Sequence, residues 1–164
     1  MEATKEFKFE LSHRLVSSYS VKCQSIHGHS YLARVTLSSE HLNNDGMVMD
    51  FGEVKNELAH LFDAWDHSFM FYSKDPLHHH YKAMLKVVNL RMIEVDYNPT
   101  AENMAFHVFR ACVKLGLPVS KVEIQETKTG WATCNRLKPF VGEDVTYYNI
   151  DEIKVQKGGK IDAI

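Results

Sequence analysis

The stretch Cys23-Gln24-Ser25-Ile26-His27-Gly28-His29-Ser30-Tyr31 sets one thiol and two imidazoles close together in the chain. Side chains alternate along an extended segment, so His27 and His29 point the same way. Two neutral imidazoles on one side can grip a metal ion, and Gly28 between them lets another group approach the backbone. Two unrelated surface histidines at a loop-to-strand junction would carry the same short pattern. Upstream, Phe7-Lys8-Phe9-Glu10-Leu11-Ser12-His13 alternates apolar and polar, the period of a half-buried strand. His13 ends the apolar face, where it reads either as a core or edge histidine with a partner or as a third ligand. If the two strands are antiparallel neighbours, His13 can join His27 and His29. Three histidines leave a fourth zinc position open, the pattern of catalytic rather than structural zinc.

Other residues carry possible chemistry. Asp66-His67 is either a carboxylate-imidazole relay or a histidine at a helix C-terminus beside a solvated acid. Glu126 shares a strand face with Val122 and Ile124, and a carboxylate there is unfavourable unless paired. Either it points into a cavity and binds a ligand, or the face is exposed at that end. The run His78-His79-His80 lies in a polar segment, solvated or opening a short helix. Cys112 falls in the apolar stripe of a helix and reads as a small core residue.

The elements that must position these groups follow from patterning. Residues 14–25 show no period and read as a loop between the first strand and a second over 29–37, where Tyr31, Ala33, Val35 and Leu37 share the face of His29. Asn43-Asn44-Asp45-Gly46 is a turn. Asp50 can cap a helix whose stripe is Val54, Leu58, Leu61, Phe62 and Trp65. After a break at Lys74-Asp75-Pro76 and a short extended piece over 91–97, Thr100 opens a second helix that Gly116 and Pro118 end. A strand over 119–127 follows. Residues 137–164 scatter a few apolar residues among charges and glycines, predicting a weakly structured or locally packed extension.

A chain of 164 residues fits one domain with a real core. A net charge of -2 and the lack of a basic stripe give no nucleic-acid footprint. Cys23, Cys112 and Cys134 are too scattered for a disulfide framework. No apolar run reaches membrane-spanning length and the N-terminal residues form no signal segment, so a cytoplasmic location is expected.

Together these motifs resemble the 6-pyruvoyltetrahydropterin synthase family, which includes the bacterial 6-carboxytetrahydropterin synthases of queuosine biosynthesis. The likeness covers about residues 5–136. His13 matches the family's first metal histidine, and Cys23-x-x-x-His27-Gly28-His29 its cysteine and other two zinc ligands. Gly46-Met47-Val48-Met49-Asp50-Phe51, Asp66-His67, Pro99-Thr100-Ala101-Glu102-Asn103 and Glu126-Thr127 match four further family motifs, in order. Three residues separate Cys23 from His27, as in the carboxy branch; animal-type pyruvoyl synthases usually place more there. Ser68 to Tyr72, where relatives often end in leucine-asparagine, departs from the pattern, and residues 73–98 and 137–164 look longer than the bacterial norm.

The resemblance implies an α+β T-fold: a four-stranded antiparallel sheet with two long helices on one face, over residues 1–136, with 137–164 an extension rather than a domain. Sheets of neighbouring subunits would join into a barrel, and two trimers would stack into a homohexamer. It implies zinc on His13, His27 and His29; Cys23, Asp66 and His67 as catalytic groups; and Glu126, Thr100 and Thr127 as pterin contacts. The implied reaction converts 7,8-dihydroneopterin triphosphate to 6-carboxy-5,6,7,8-tetrahydropterin with loss of triphosphate and acetaldehyde. The alternatives are 6-pyruvoyltetrahydropterin as product, or a T-fold protein that binds a pterin or purine without turnover. Cys23 with Asp66-His67 favours an enzyme, because binding alone needs neither.

Overall fold

The computed structural model describes residues 1–136 and 144–149. Strands β1 (Glu2–His13) and β2 (His27–Ser38) pair antiparallel along their whole length, from Glu2 opposite Ser38 to His13 opposite His27. Their alternation sets this register. It puts Phe7, Phe9 and Leu11 of β1 with Tyr31, Ala33 and Val35 of β2 on the buried side, and a slip of one residue would expose them all. Between them lies a single helical turn, α1 (Val21–Gln24), where the sequence predicted only loop.

Helix α2 (Phe51–Trp65) starts at Asp50, whose Oδ1 accepts from the backbone N–H groups of Gly52 at 2.7 Å and Glu53 at 3.3 Å. Then come β3 (Ser68–Tyr72), α3 (His78–Met84), β4 (Met92–Val95), α4 (Ala101–Lys114), β5 (Val119–Thr127), β6 (Gly130–Cys134) and β7 (Val145–Tyr148). Helices α2 and α4 bury their apolar stripes in one core cluster with β1, β2 and β5, so both cover the same face of the sheet. Large rings fill this core. Phe7 stacks on Phe62 at 4.3 Å, and Trp65 meets Phe9 edge-on at 5.5 Å. Each such side chain contributes about 1.5–3 kcal/mol by leaving water.

The sheet differs from the expected four-stranded antiparallel one. Among the described residues it has seven strands in the order β6-β5-β2-β1-β3-β4-β7. The first four are antiparallel, but β3 runs parallel to β1, β4 runs parallel to β3, and β7 returns antiparallel to β4. Residues 68–72 hide this strand because both of its faces are buried. Met70 joins the main core, whereas Phe69 and Phe71 pack beneath Tyr81 of α3 on the opposite side. A strand covered on both faces carries no alternation to read.

The extension expected over 137–164 lies outside the described residues except at 144–149. There β7 completes the sheet edge, with Val145 and Tyr147 against the main core and Tyr148 against the smaller cluster. Charge locks it in place. Glu94 of β4 accepts from the Tyr148 hydroxyl at 2.7 Å, His78 Nε2 at 2.9 Å and Lys82 Nζ at 3.2 Å, and Lys82 also reaches the Tyr148 hydroxyl. Burial alone would raise the Glu94 pKa; the hydrogen bonds from Tyr148, His78 and Lys82 outweigh it and hold the carboxyl below its ordinary value. A carboxyl depressed in the folded state stabilises the fold above its unfolded pKa and loses that contribution as pH falls through the folded value. Glu94→Gln is therefore expected to lower stability at pH 7 by about 2 kcal/mol. The gap to the parent should close as pH drops below about 4.3. Urea midpoints across pH check this, and equal midpoints at pH 7 would refute it.

Candidate metal centre

The register of β1 on β2 builds the centre. His13 is the last residue of β1, His27 opposite it is the first of β2, and His29 follows on the same face. One ligand nitrogen from each of the three lies within 4.8 Å of the others. Gly28 faces Ser12 across the pair, and a Cβ there would stand 3.3 Å from the Leu11 carbonyl oxygen. The group that approaches the Gly28 backbone is thus β1 itself. His78, His79 and His80 do not belong to the cluster.

Backbone carbonyls set the imidazole tautomers. His13 Nδ1 is 2.7 Å from the Pro99 carbonyl, and His27 Nδ1 is 2.8 Å from that of Ser25. A carbonyl only accepts, so each Nδ1 carries the hydrogen and each Nε2 presents a bare lone pair, the state a metal requires. Pro99 leads into α4, so the start of that helix orients a ring at the far end of β1. His13 is fully buried, and burial, with smaller effects from the neighbouring histidines, lowers its pKa against the Pro99 hydrogen bond and the Glu126 charge. Burial likewise lowers that of His29. Three histidines converging on one point fit a divalent cation such as zinc with a position left for a further ligand.

Glu126 completes the group. The pairing of β5 with β6 shifts register between Gln125 and Thr127, leaving Glu126 in a bulge. Its Oε1 lies 3.2 Å from the Tyr31 hydroxyl and 3.5 Å from His13 Nε2, and its side chain keeps 28% exposure. The carboxylate thus lies against the histidine group while staying partly exposed. Sequence reasoning passed over Tyr31, whose hydroxyl is also 3.2 Å from His13 Nε2. Its signal was its place two residues after His29, on the same face.

The other predicted residues stand outside the histidine group. Asp66 ends α2, and its Oδ1 accepts from the Glu10 backbone N–H at 2.7 Å while Oδ2 meets His67 Nδ1 at 2.8 Å. His67 takes a left-handed backbone with φ of 57°, and its N–H donates to the Glu10 carbonyl. The carboxylate thus orients the ring, although His67 itself is largely exposed. His67 and His29 line one open cleft of about 570 Å³, with Ile26, Phe69 and Leu90 on its apolar wall. Cys23 sits in α1, half-buried, outside the histidine group; its carbonyl accepts from Leu15 N–H and so ties α1 to the loop that leaves His13. Thr100 spends its hydroxyl capping α4, accepting from Asn103 N–H at 3.3 Å. Thr127 is exposed beside the bulge.

Comparison with known proteins puts this geometry in context. The family model described as 6-pyruvoyl tetrahydropterin synthase matches residues 2–137. A protein of Aquifex aeolicus named 6-carboxy-5,6,7,8-tetrahydropterin synthase is 34% identical over 154 residues, covering 80% of this chain and 95% of its own. One of the same name from Helicobacter pylori is 30% identical, covering 77% and 68%. Among solved structures, an uncharacterized protein of Wolinella succinogenes superposes with a TM-score of 0.69 at 23% identity, covering 84% of this chain and 98% of that one. The Caenorhabditis elegans 6-pyruvoyl tetrahydropterin synthase gives 0.61 at 24%, covering 84% and 96%. The structural likenesses carry the T-fold alone. A family match across nearly all of the described residues, joined by relatives of 30% identity or more, carries descent as well, and the chain belongs to the 6-pyruvoyl tetrahydropterin synthase family of pterin enzymes.

Proposed function

We propose that the protein is a zinc-dependent lyase that converts 7,8-dihydroneopterin triphosphate to 6-carboxy-5,6,7,8-tetrahydropterin, releasing triphosphate and acetaldehyde, and so supplies the queuosine precursor pathway. The observation that carries this reading is the contact between a three-histidine centre and a partly exposed carboxylate, His13 Nε2 to Glu126 Oε1 at 3.5 Å. A cation site beside an acceptor for ring N–H groups is what a pterin with a hydroxylated side chain needs. The names borne by the 30–34% identical relatives support the carboxy product.

His13, His27 and His29 would hold the zinc, which supplies Lewis acidity toward the substrate's side-chain hydroxyls. Glu126 accepts hydrogen bonds from the pterin amino group and ring N–H and fixes the heterocycle, with Thr100 and Thr127 as flanking contacts. Cys23, outside the ligand set, moves protons on the substrate side chain. His67 is the second proton carrier, held in orientation by Asp66. That His29 and His67 line one cleft supports their acting on a common substrate.

The synthase domain is residues 1–136, with 137–164 an extension of it. Among the described residues β6 ends the sheet, which favours pairing between subunits, since an unpaired strand edge invites aggregation. The assembly is a homohexamer of two trimers in the cytoplasm. No described helix is long and apolar enough to cross a membrane.

The deciding experiment is incubation of the zinc-loaded protein with dihydroneopterin triphosphate and identification of products by mass spectrometry. 6-Carboxytetrahydropterin with equimolar acetaldehyde is expected. 6-Pyruvoyltetrahydropterin without acetaldehyde would move the protein to the pyruvoyl branch, and bound but unchanged substrate would make it a binding protein.

A further inference from the structure

We propose that Tyr31 is a positioning residue that couples the metal centre to the Glu126 carboxylate, an inference that rests on the functional reading above. Tyr31 is buried within the core face of β2, and its hydroxyl lies 3.2 Å from both His13 Nε2 and Glu126 Oε1. Those two atoms are themselves only 3.5 Å apart. Both are acceptors. His13 has already committed its hydrogen to Pro99 through Nδ1, and an ionised carboxylate has none. The Tyr31 hydroxyl therefore supplies the one hydrogen that lies between two facing lone pairs.

A hydroxyl has a single hydrogen to give. While His13 Nε2 is free, Tyr31 can donate to either acceptor. Once that lone pair is given to a metal, only Glu126 of the two remains. Metal loading thus commits the Tyr31 hydrogen to Oε1 and holds the carboxylate in one orientation, leaving its other oxygen for the ligand's N–H donors. An oriented acceptor loses less freedom when the ligand arrives, so the zinc-loaded protein binds the heterocycle more tightly. By reciprocity the heterocycle tightens zinc to the same degree.

Two measurements on the full chain decide this. Infrared difference spectra are taken as zinc is added to the chelator-stripped protein. The parent should show a shifted carboxylate stretch, assigned to Glu126 by its disappearance in Glu126→Gln. Tyr31→Phe should bind one zinc yet lose the shift. Binding of neopterin to the zinc-loaded proteins is then followed by its fluorescence. Tyr31→Phe should weaken it about tenfold or more, and should add nothing in the Glu126→Gln background. A parent-like carboxylate shift in Tyr31→Phe would overturn the proposal. So would a binding penalty that persists without Glu126, or loss of zinc from Tyr31→Phe, which would make the residue a packing element. If the parent shows the infrared shift but does not bind neopterin, the pterin reading fails and the Tyr31 coupling stands.

Discussion

His27→Ala and His29→Ala are each expected to emerge from dialysis against a weak chelator with a small fraction of the one zinc per chain held by the parent. The nitrogens of the three histidines lie within 4.8 Å of one another, so each replacement removes a third of the protein's share of the coordination shell. Zinc sites with four protein ligands are worth about 10–16 kcal/mol, or about 3 kcal/mol per ligand. Loss of one ligand then weakens the ion by about a hundredfold or more. His27 and His29 are the informative positions because both are only partly buried, whereas His13 is fully buried and its removal also leaves a hole at the end of the core. Replacement of His78, His79 and His80 together should leave zinc at the parental level. Full zinc in both single variants, measured by elemental analysis, would remove the centre from these residues.

Cys23→Ala should keep its zinc and its fold while kcat falls by about a hundredfold to ten-thousandfold, the range a positioned proton carrier supplies. The thiol stands outside the histidine group, so no metal ligand is lost. Its side chain is half-buried in a one-turn helix held by backbone hydrogen bonds that alanine also makes, including Leu15 N–H to the Cys23 carbonyl at 2.8 Å. A fall in kcat with zinc content and unfolding midpoint unchanged is the signature of proton transfer. A kcat within a few-fold of the parent would take Cys23 out of the mechanism and leave the Asp66-His67 pair to carry it.

The three-histidine cluster was legible in the sequence because it rests on the period of a strand. Phe7, Phe9, Leu11 and His13 alternate, as do His27, His29 and Tyr31. Two such faces in antiparallel register must bring the three histidines to one end of the pair. Both long helices were legible for a similar reason: Asp50 and Thr100 cap stripes of apolar residues at helical spacing. Residues 68–72 were not, because β3 is buried on both faces, by the main core and by α3, and so has no polar side to mark its period.

By itself, the sequence determined which residues share a face: local alternation decides that, and one hydrogen-bonded ladder turns it into a three-histidine cluster. The tertiary structure alone decided the outer half of the sheet, the place of β7, and the partners of the site. Pro99 is 86 positions from His13, and Glu126 is 95 from Tyr31. No periodicity reaches across such distances. The carbonyl that sets a tautomer and the hydroxyl between two acceptors exist only once the helix start of α4 and the bulge of β5 have been packed against the ends of β1 and β2.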